Sequence, residues 1–121
     1  MARQVRRPAV RRLNTRAALL GQIGEAEFER WIIRTARRLG WSGFHIRMSM
    51  AVLQGVNKGD AYGWPDWVFA RKDRLIFREL KSDTGRMSAE QRAWAQRLLD
   101  AGQDVDVWRP KDEARILAEL T

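Results

Sequence analysis

The chain reads as one α/β domain, a central mixed four-stranded sheet flanked by helices in the order αβββαβα. Three observations predict that class. Two short runs, Asp66 to Ala70 and Leu75 to Leu80, sit on either side of the polar stretch Arg71-Lys72-Asp73-Arg74, which has hairpin length. A helical stretch from Ser88 to Ala101-Gly102 separates the second run from a further one, Val105 to Trp108, and such a helix is what joins two parallel strands. At 121 residues there is enough chain for one core and too little for two.

Charge divides the chain. Arg3, Arg6, Arg7, Arg11, Arg12 and Arg16 place six positive charges and no acid in the first sixteen residues, out of a net +8. Residues 1–12 also contain Pro8 and no sustained apolar period, so they are expected to form a flexible basic arm ahead of a single domain over 13–121. On a phosphate polymer such an arm releases counterions and adds salt-sensitive affinity without sequence choice. The competing reading of the same residues is a solubilising tail or an Arg-rich targeting presequence.

The first helix is expected from Asn14 or Thr15, either of which can cap it, to Leu39, with Gly40 ending it. Gly21 and Gly24 can split it, and its firm part begins near Gln22. Phe28, Ile32, Thr35, Ala36 and Leu39 fall on one helical stripe, which faces inward. Glu25 lies inside that stripe, Glu29 on its border and Glu27 on the opposite flank. A carboxylate aimed at a core needs a cation or hydrogen-bond donors, which selects Glu25 as the helix acid of a site, with Glu29 second. The alternative is a first-turn acid favoured by the helix dipole.

Phe44 to Met48 alternates Phe44, Ile46 and Met48 against His45 and Arg47, which predicts a half-buried strand with His45 on its outer face. Ser49 to Trp64 is glycine-rich and has little apolar pattern after Leu53. It is expected to be a long loop in which Lys58 can meet phosphate.

The stretch Gly63 to Lys81 organises the rest. Pro65 opens a strand at the one place proline is tolerated, so Asp66 stands at its mouth, while Trp67 points the other way, toward the core. Period two in the second run puts Leu75, Phe77, Glu79 and Lys81 on one face and Ile76, Arg78 and Leu80 on the other. An antiparallel hairpin then brings Asp66 level with Glu79, so that two carboxylates and one ammonium converge. A hard divalent cation is held in this way, by one or two carboxylates plus phosphate oxygens, and the backbone carbonyl of Leu80 is placed to add a ligand. Lys81 would orient the attacking water or neutralise charge on the phosphorus. The plainer alternative is a solvated Glu79–Lys81 surface pair.

After Lys81, Ser82 to Arg86 reads as a turn, and Ser88-Ala89-Glu90-Gln91 is a capping box opening the next helix, with Gln91, Trp94, Ala95 and Leu98 inward. Gln91 is therefore both a cap partner and a residue aimed at the site. Pro110 closes the last strand, and Asp112 to Leu120 is expected to be a terminal helix with Ile116, Leu117 and Leu120 inward.

Gly63-Trp64-Pro65-Asp66, then Glu79-Leu80-Lys81 after twelve residues, then Gly85, Ser88, Gln91, Trp94 and Gly102 in that order resemble the PD-(D/E)xK nuclease superfamily. Within it the chain is most similar to the VRR-Nuc branch, known from small phage nucleases and eukaryotic repair nucleases. The likeness covers roughly Gly21 to Pro110, and Gly21-x-x-Gly24-Glu25 looks like the related resolvase-type pattern. It implies a restriction-endonuclease-like core and a Mg²⁺- or Mn²⁺-dependent, structure-specific endonuclease acting on branched, flapped or duplex DNA, Holliday junctions among them. Asp66 and Glu79 would be ligands, with Glu25 as a further one, Lys81 the catalytic cation, and Gln91 beside them. A two-fold homodimer is the simplest way for so small a domain to cut two strands. The alternative is a DNA-binding protein of the same fold without the chemistry.

Composition narrows the cofactor and the compartment. With no cysteine and only His45, neither a disulfide framework nor a Cys- or His-based metal site can be built. No apolar run approaches the ~18 residues of a membrane span, so an intracellular, cytoplasmic protein is expected.

Overall fold

The computed structural model describes residues 24–46 and 62–121. The elements are α1 (Gly24–Arg38), β1 (Ser42–His45), β2 (Trp67–Arg71), β3 (Arg74–Leu80), α2 (Ala89–Asp100), β4 (Asp104–Trp108), a 3₁₀ turn (Pro110–Asp112) and α3 (Glu113–Leu120). The strands form one sheet in the order β1-β2-β3-β4. β1–β2 and β2–β3 are antiparallel, whereas β3–β4 is parallel. This is the α/β architecture with a mixed four-stranded sheet that the sequence predicts.

The hairpin is tighter than its polar residues suggest. Arg71 and Arg74 pair with each other, which leaves only Lys72 and Asp73 in the turn, with Lys72 at φ 54°. β2 accordingly begins at Trp67 and runs to Arg71.

The two faces of the sheet are covered by different helices. On one, Phe28, Ile32 and Ala36 of α1 and Ile116 and Leu120 of α3 pack with Trp67, Phe69, Ile76 and Trp108. Trp67 stacks on Phe69, with ring centroids 5.3 Å apart, and Phe69 meets Trp108 at 5.9 Å. Arg78 is also buried on this side, ion-paired with Asp104 at 2.9 Å and lying over the Trp108 ring. On the other face, Trp64 meets Phe77 and Trp94 of α2 edge-on. Leu98 is buried there, in the helical row that also carries Gln91 and Ala95.

The first strand differs from its expectation in span and in facing. It covers Ser42–His45, and Ile46 adds one more bond by donating its N–H to Asp66 O at 2.8 Å, while Arg47 and Met48 lie outside the described residues. Phe44 is 69% exposed, and His45 lies against Trp67 on the face covered by α1 and α3, with centroids 4.9 Å apart. Gly43 explains the inversion. A Cβ there would stand 2.7 Å from the Phe69 ring and 3.2 Å from Trp67, so a small residue is what lets the two aromatic rings lie beneath β1. Bulk on β2 outweighs hydrophobicity on β1, and His45, two residues from Gly43, follows it inward.

The C-terminus is tied to the hairpin. Arg71 donates to Leu39 O (3.0 Å), Leu120 O (2.8 Å) and Thr121 O (3.0 Å), and Trp41 Nε1 donates to Leu120 O (2.8 Å). These side chains satisfy terminal carbonyls of α1 and α3. Leu117, expected to face inward with Ile116 and Leu120, is instead partly exposed, because the sheet is reached only by its two neighbours on the helix. Among the described residues no helix is long and apolar enough to cross a membrane.

Candidate active site

Asp66 and Glu79 come together where the β2–β3 ladder stops. Its last paired residues are Trp67 and Arg78, so the next pair outward would be Asp66 and Glu79. Each carboxylate takes a main-chain donor from the other's strand. Asp66 N–H donates to Glu79 Oε2 and Leu80 N–H donates to Asp66 Oδ2, both at 3.1 Å.

Three further side chains complete the cluster. Lys81 Nζ stands 3.8 Å from Glu79 Oε1. Gln91 donates from Nε2 to the same Glu79 oxygen at 2.5 Å. The other end of the Gln91 amide closes the capping box, since Oε1 accepts Ser88 N–H at 2.8 Å while Ser88 Oγ accepts Gln91 N–H at 3.1 Å. Gln91 thus caps the helix and braces the site at once, through different atoms. Glu29 approaches from α1, where its Oε2 accepts Trp67 Nε1–H at 3.1 Å and lies 3.5 Å from His45 Nε2.

Glu25 is not among them. It is exposed in the first turn of α1, and Phe28 is the first buried residue of that helix. Glu25 and Glu29 lie four residues apart on nearly the same stripe, and the rise of about 6 Å between them decides which one reaches the sheet. The acid aimed inward is Glu29. His45 is the other residue whose place the alternation of polarity misassigns, and the available signal was Gly43 opposite two aromatic residues. Lys58 and Arg3, Arg6, Arg7, Arg11 and Arg12 lie outside the described residues.

Electrostatics make the carboxylate pair unusual. Glu79 is only 4% exposed. Burial, and then the neighbouring Asp66 charge, push its carboxyl from the ordinary 4.5 up to about 7, against the pull of Lys81 and of the Asp66 N–H. Burial also raises Asp66, partly offset by the Leu80 N–H, His45 and Lys81. Two desolvated carboxyls side by side favour a compensating cation. Among the described residues no group of three or more His, Asp or Glu side chains forms a metal cage. The donor set fits a hard ion that keeps several waters and takes only one or two protein carboxylates.

The surroundings are shaped as well. A cavity of about 140 Å³ between α2 and β4 is lined by Pro65, Met87, Ala95, Val105 and Val107 and reaches Glu79 and Gln91. Gly63, at φ 90°, packs so closely on α2 that a Cβ would lie 2.3 Å from the Glu90 carbonyl. That close approach seats the Trp64-Pro65-Asp66 segment on the first turn of the helix that carries Gln91. Compared with family models, with curated proteins and with solved structures, the chain matches none.

Proposed function

We propose that the protein is a Mg²⁺- or Mn²⁺-dependent, structure-specific DNA endonuclease. The observation that carries this reading is the cross-braced pair Asp66–Glu79, with Glu79 buried, Asp66 half-buried and the Lys81 ammonium beside them. The order αβββαβα, with two antiparallel pairings followed by a parallel one, supports a restriction-endonuclease-like core.

In this reading Asp66 and Glu79 hold the cation, assisted by the Leu80 carbonyl, and Glu29 takes the place expected of Glu25. A divalent ion so held supplies Lewis acidity toward a phosphate oxygen and lowers the pKa of a bound water. The chain's own groups do the rest. Gln91 fixes the rotamer of Glu79, the two main-chain N–H groups fix the spacing of the carboxylates, and Lys81 neutralises charge developing on the phosphate in the transition state. The basic residues of 1–12, Lys58 and the glycine-rich stretch around it would bind the phosphate backbone and add a preference for branched or flapped DNA. Double-strand cutting by so small a domain would use a two-fold dimer.

The test is cleavage of labelled four-way-junction, flap, single-stranded and linear duplex DNA with Mg²⁺, with Mn²⁺ and with EDTA, comparing the parent with Asp66→Ala. Cutting that needs metal and falls by on the order of 10²–10³-fold in the variant is expected. Binding without cutting in either metal, unchanged by Asp66→Ala, would replace the enzyme with a binding protein of the same fold.

A further inference from the structure

The turn that follows Lys81 is held from outside itself. Ser82 Oγ accepts the Gly85 N–H at 2.9 Å and Ser82 O accepts it at 3.3 Å, which closes a four-residue turn and leaves the carbonyls of Ser82 and Gly85 each able to take a donor from outside it. Both are taken by one group, Arg109 Nη1, at 2.6 Å each. Asp83 Oδ1 in turn accepts Lys111 N–H at 2.9 Å. The segment just past β4 therefore grips the segment just past β3.

Arg109 is itself anchored. Its N–H donates to Asp112 Oδ2 at 3.0 Å, and Asp112 pairs with Arg115 of α3 at 3.2 Å. It is also the next residue along from the end of the parallel ladder, where Lys81 N–H donates to Trp108 O at 3.1 Å. Lys81 and Arg109 are thus adjacent cations on adjacent strands. A guanidinium committed to two carbonyls is not available to compete for Glu79, and the ammonium beside it is. The turn meets the lysine directly: a Cβ on Gly85 would stand 3.6 Å from Lys81 Cδ, so the lysine stem lies along that residue.

We infer that Arg109 is a positioning residue for Lys81, clamping the Ser82–Gly85 turn so that the lysine stem is backed on one side and its ammonium faces Glu79. A four-carbon side chain has several rotamers, and a backing surface removes most of them before any substrate arrives. The placement of Lys81 stands on the geometry alone. Its effect on turnover rests on the phosphodiesterase reading.

The test uses the full chain and three variants, Arg109→Ala, Arg109→Lys and Lys111→Ala. Lys111 takes part only through its main chain, so its truncation removes a nearby positive charge and leaves the clamp intact. The first readout is the rate at which Lys81 is acetylated by acetic anhydride, followed by mass spectrometry relative to Lys72, with near-ultraviolet circular dichroism reporting the fold. Labelling of Lys81 is expected to rise several-fold in Arg109→Ala, to be intermediate in Arg109→Lys and to stay at the parental rate in Lys111→Ala. The second readout is cleavage, where kcat should fall by roughly 10²-fold in Arg109→Ala with KM little changed, as misplacement of a reacting group produces.

Parental labelling of Lys81 in a folded Arg109→Ala chain overturns the inference, and if that variant does not fold, parental labelling in Arg109→Lys does so. A labelling change without cleavage by any variant or by the parent sustains the clamp and removes the nuclease. Cleavage that survives Arg109→Ala unchanged, with Lys81 labelling raised, removes the clamp from catalysis.

Discussion

Glu79 is the residue at which position and charge conflict. Its carboxyl is raised from 4.5 to about 7, chiefly by burial. Below pH 4.5 it is protonated in both the folded and the unfolded chain and costs nothing. Between about pH 4.5 and 7 the unfolded chain ionises while the fold keeps its proton, so stability falls as pH rises, and above 7 the loss is complete. At about 1.4 kcal/mol per pH unit that loss is on the order of 3 kcal/mol. Glu79→Gln keeps the shape without the charge. It should match the parent near pH 4.5, exceed it by up to that amount at pH 8 in urea denaturation, and lack the Mn²⁺-induced rise in Tm expected of the parent at pH 8. A parent whose stability relative to Glu79→Gln is the same at both pH values would refute the assignment of strain to this carboxyl. The facing of Glu79 and Lys81 was legible in the sequence because period two leaves no choice once the strand is granted. The choice of Glu29 over Glu25 was not, since a helical stripe gives direction around the axis but not the height at which the helix first meets the sheet.

At the scale of elements, local signals were legible where they were redundant. Ser88 and Gln91 form the capping box that their spacing announces, and the hairpin forms between the short run from Asp66 and the alternating run from Leu75. β1 shows the limit. Its polarity alternates one way and its packing the other, because the volume of Phe69 and Trp67 on the neighbouring strand reserves one face for Gly43. Only a pairing partner could reveal that, and pairing is not written in the strand's own residues. Gly63 carries a comparable constraint, a positive φ together with close approach to the Glu90 carbonyl. Gly63→Ala is expected to destabilise the chain by roughly 1–3 kcal/mol in urea denaturation and to loosen the Asp66 segment from α2. Unchanged stability would mean that this junction yields without cost.

At the scale of the molecule, the positive charge is concentrated in the first sixteen residues and the acids Asp66 and Glu79 sit at the end of the central hairpin. On the proposed function, binding and chemistry would thereby fall to different parts of the chain. Deleting residues 1–12 removes five arginines. The slope of log affinity for duplex DNA against log salt should become shallower by up to about 0.9 for each phosphate that the arm no longer neutralises, with cleavage at saturating DNA retained. An unchanged slope in fluorescence anisotropy over several salt concentrations would remove the arm from the interface. Because Asp66 and Glu79 each accept a main-chain N–H from the other's strand, their placement follows the pairing of β2 with β3, neighbouring strands that lie about 4.8 Å apart as in any sheet. The backbone acts as the gauge of this site: substitution can change how much charge stands there and what lines the approach, while the spacing of the two strands that carry the pair stays a property of the polypeptide itself.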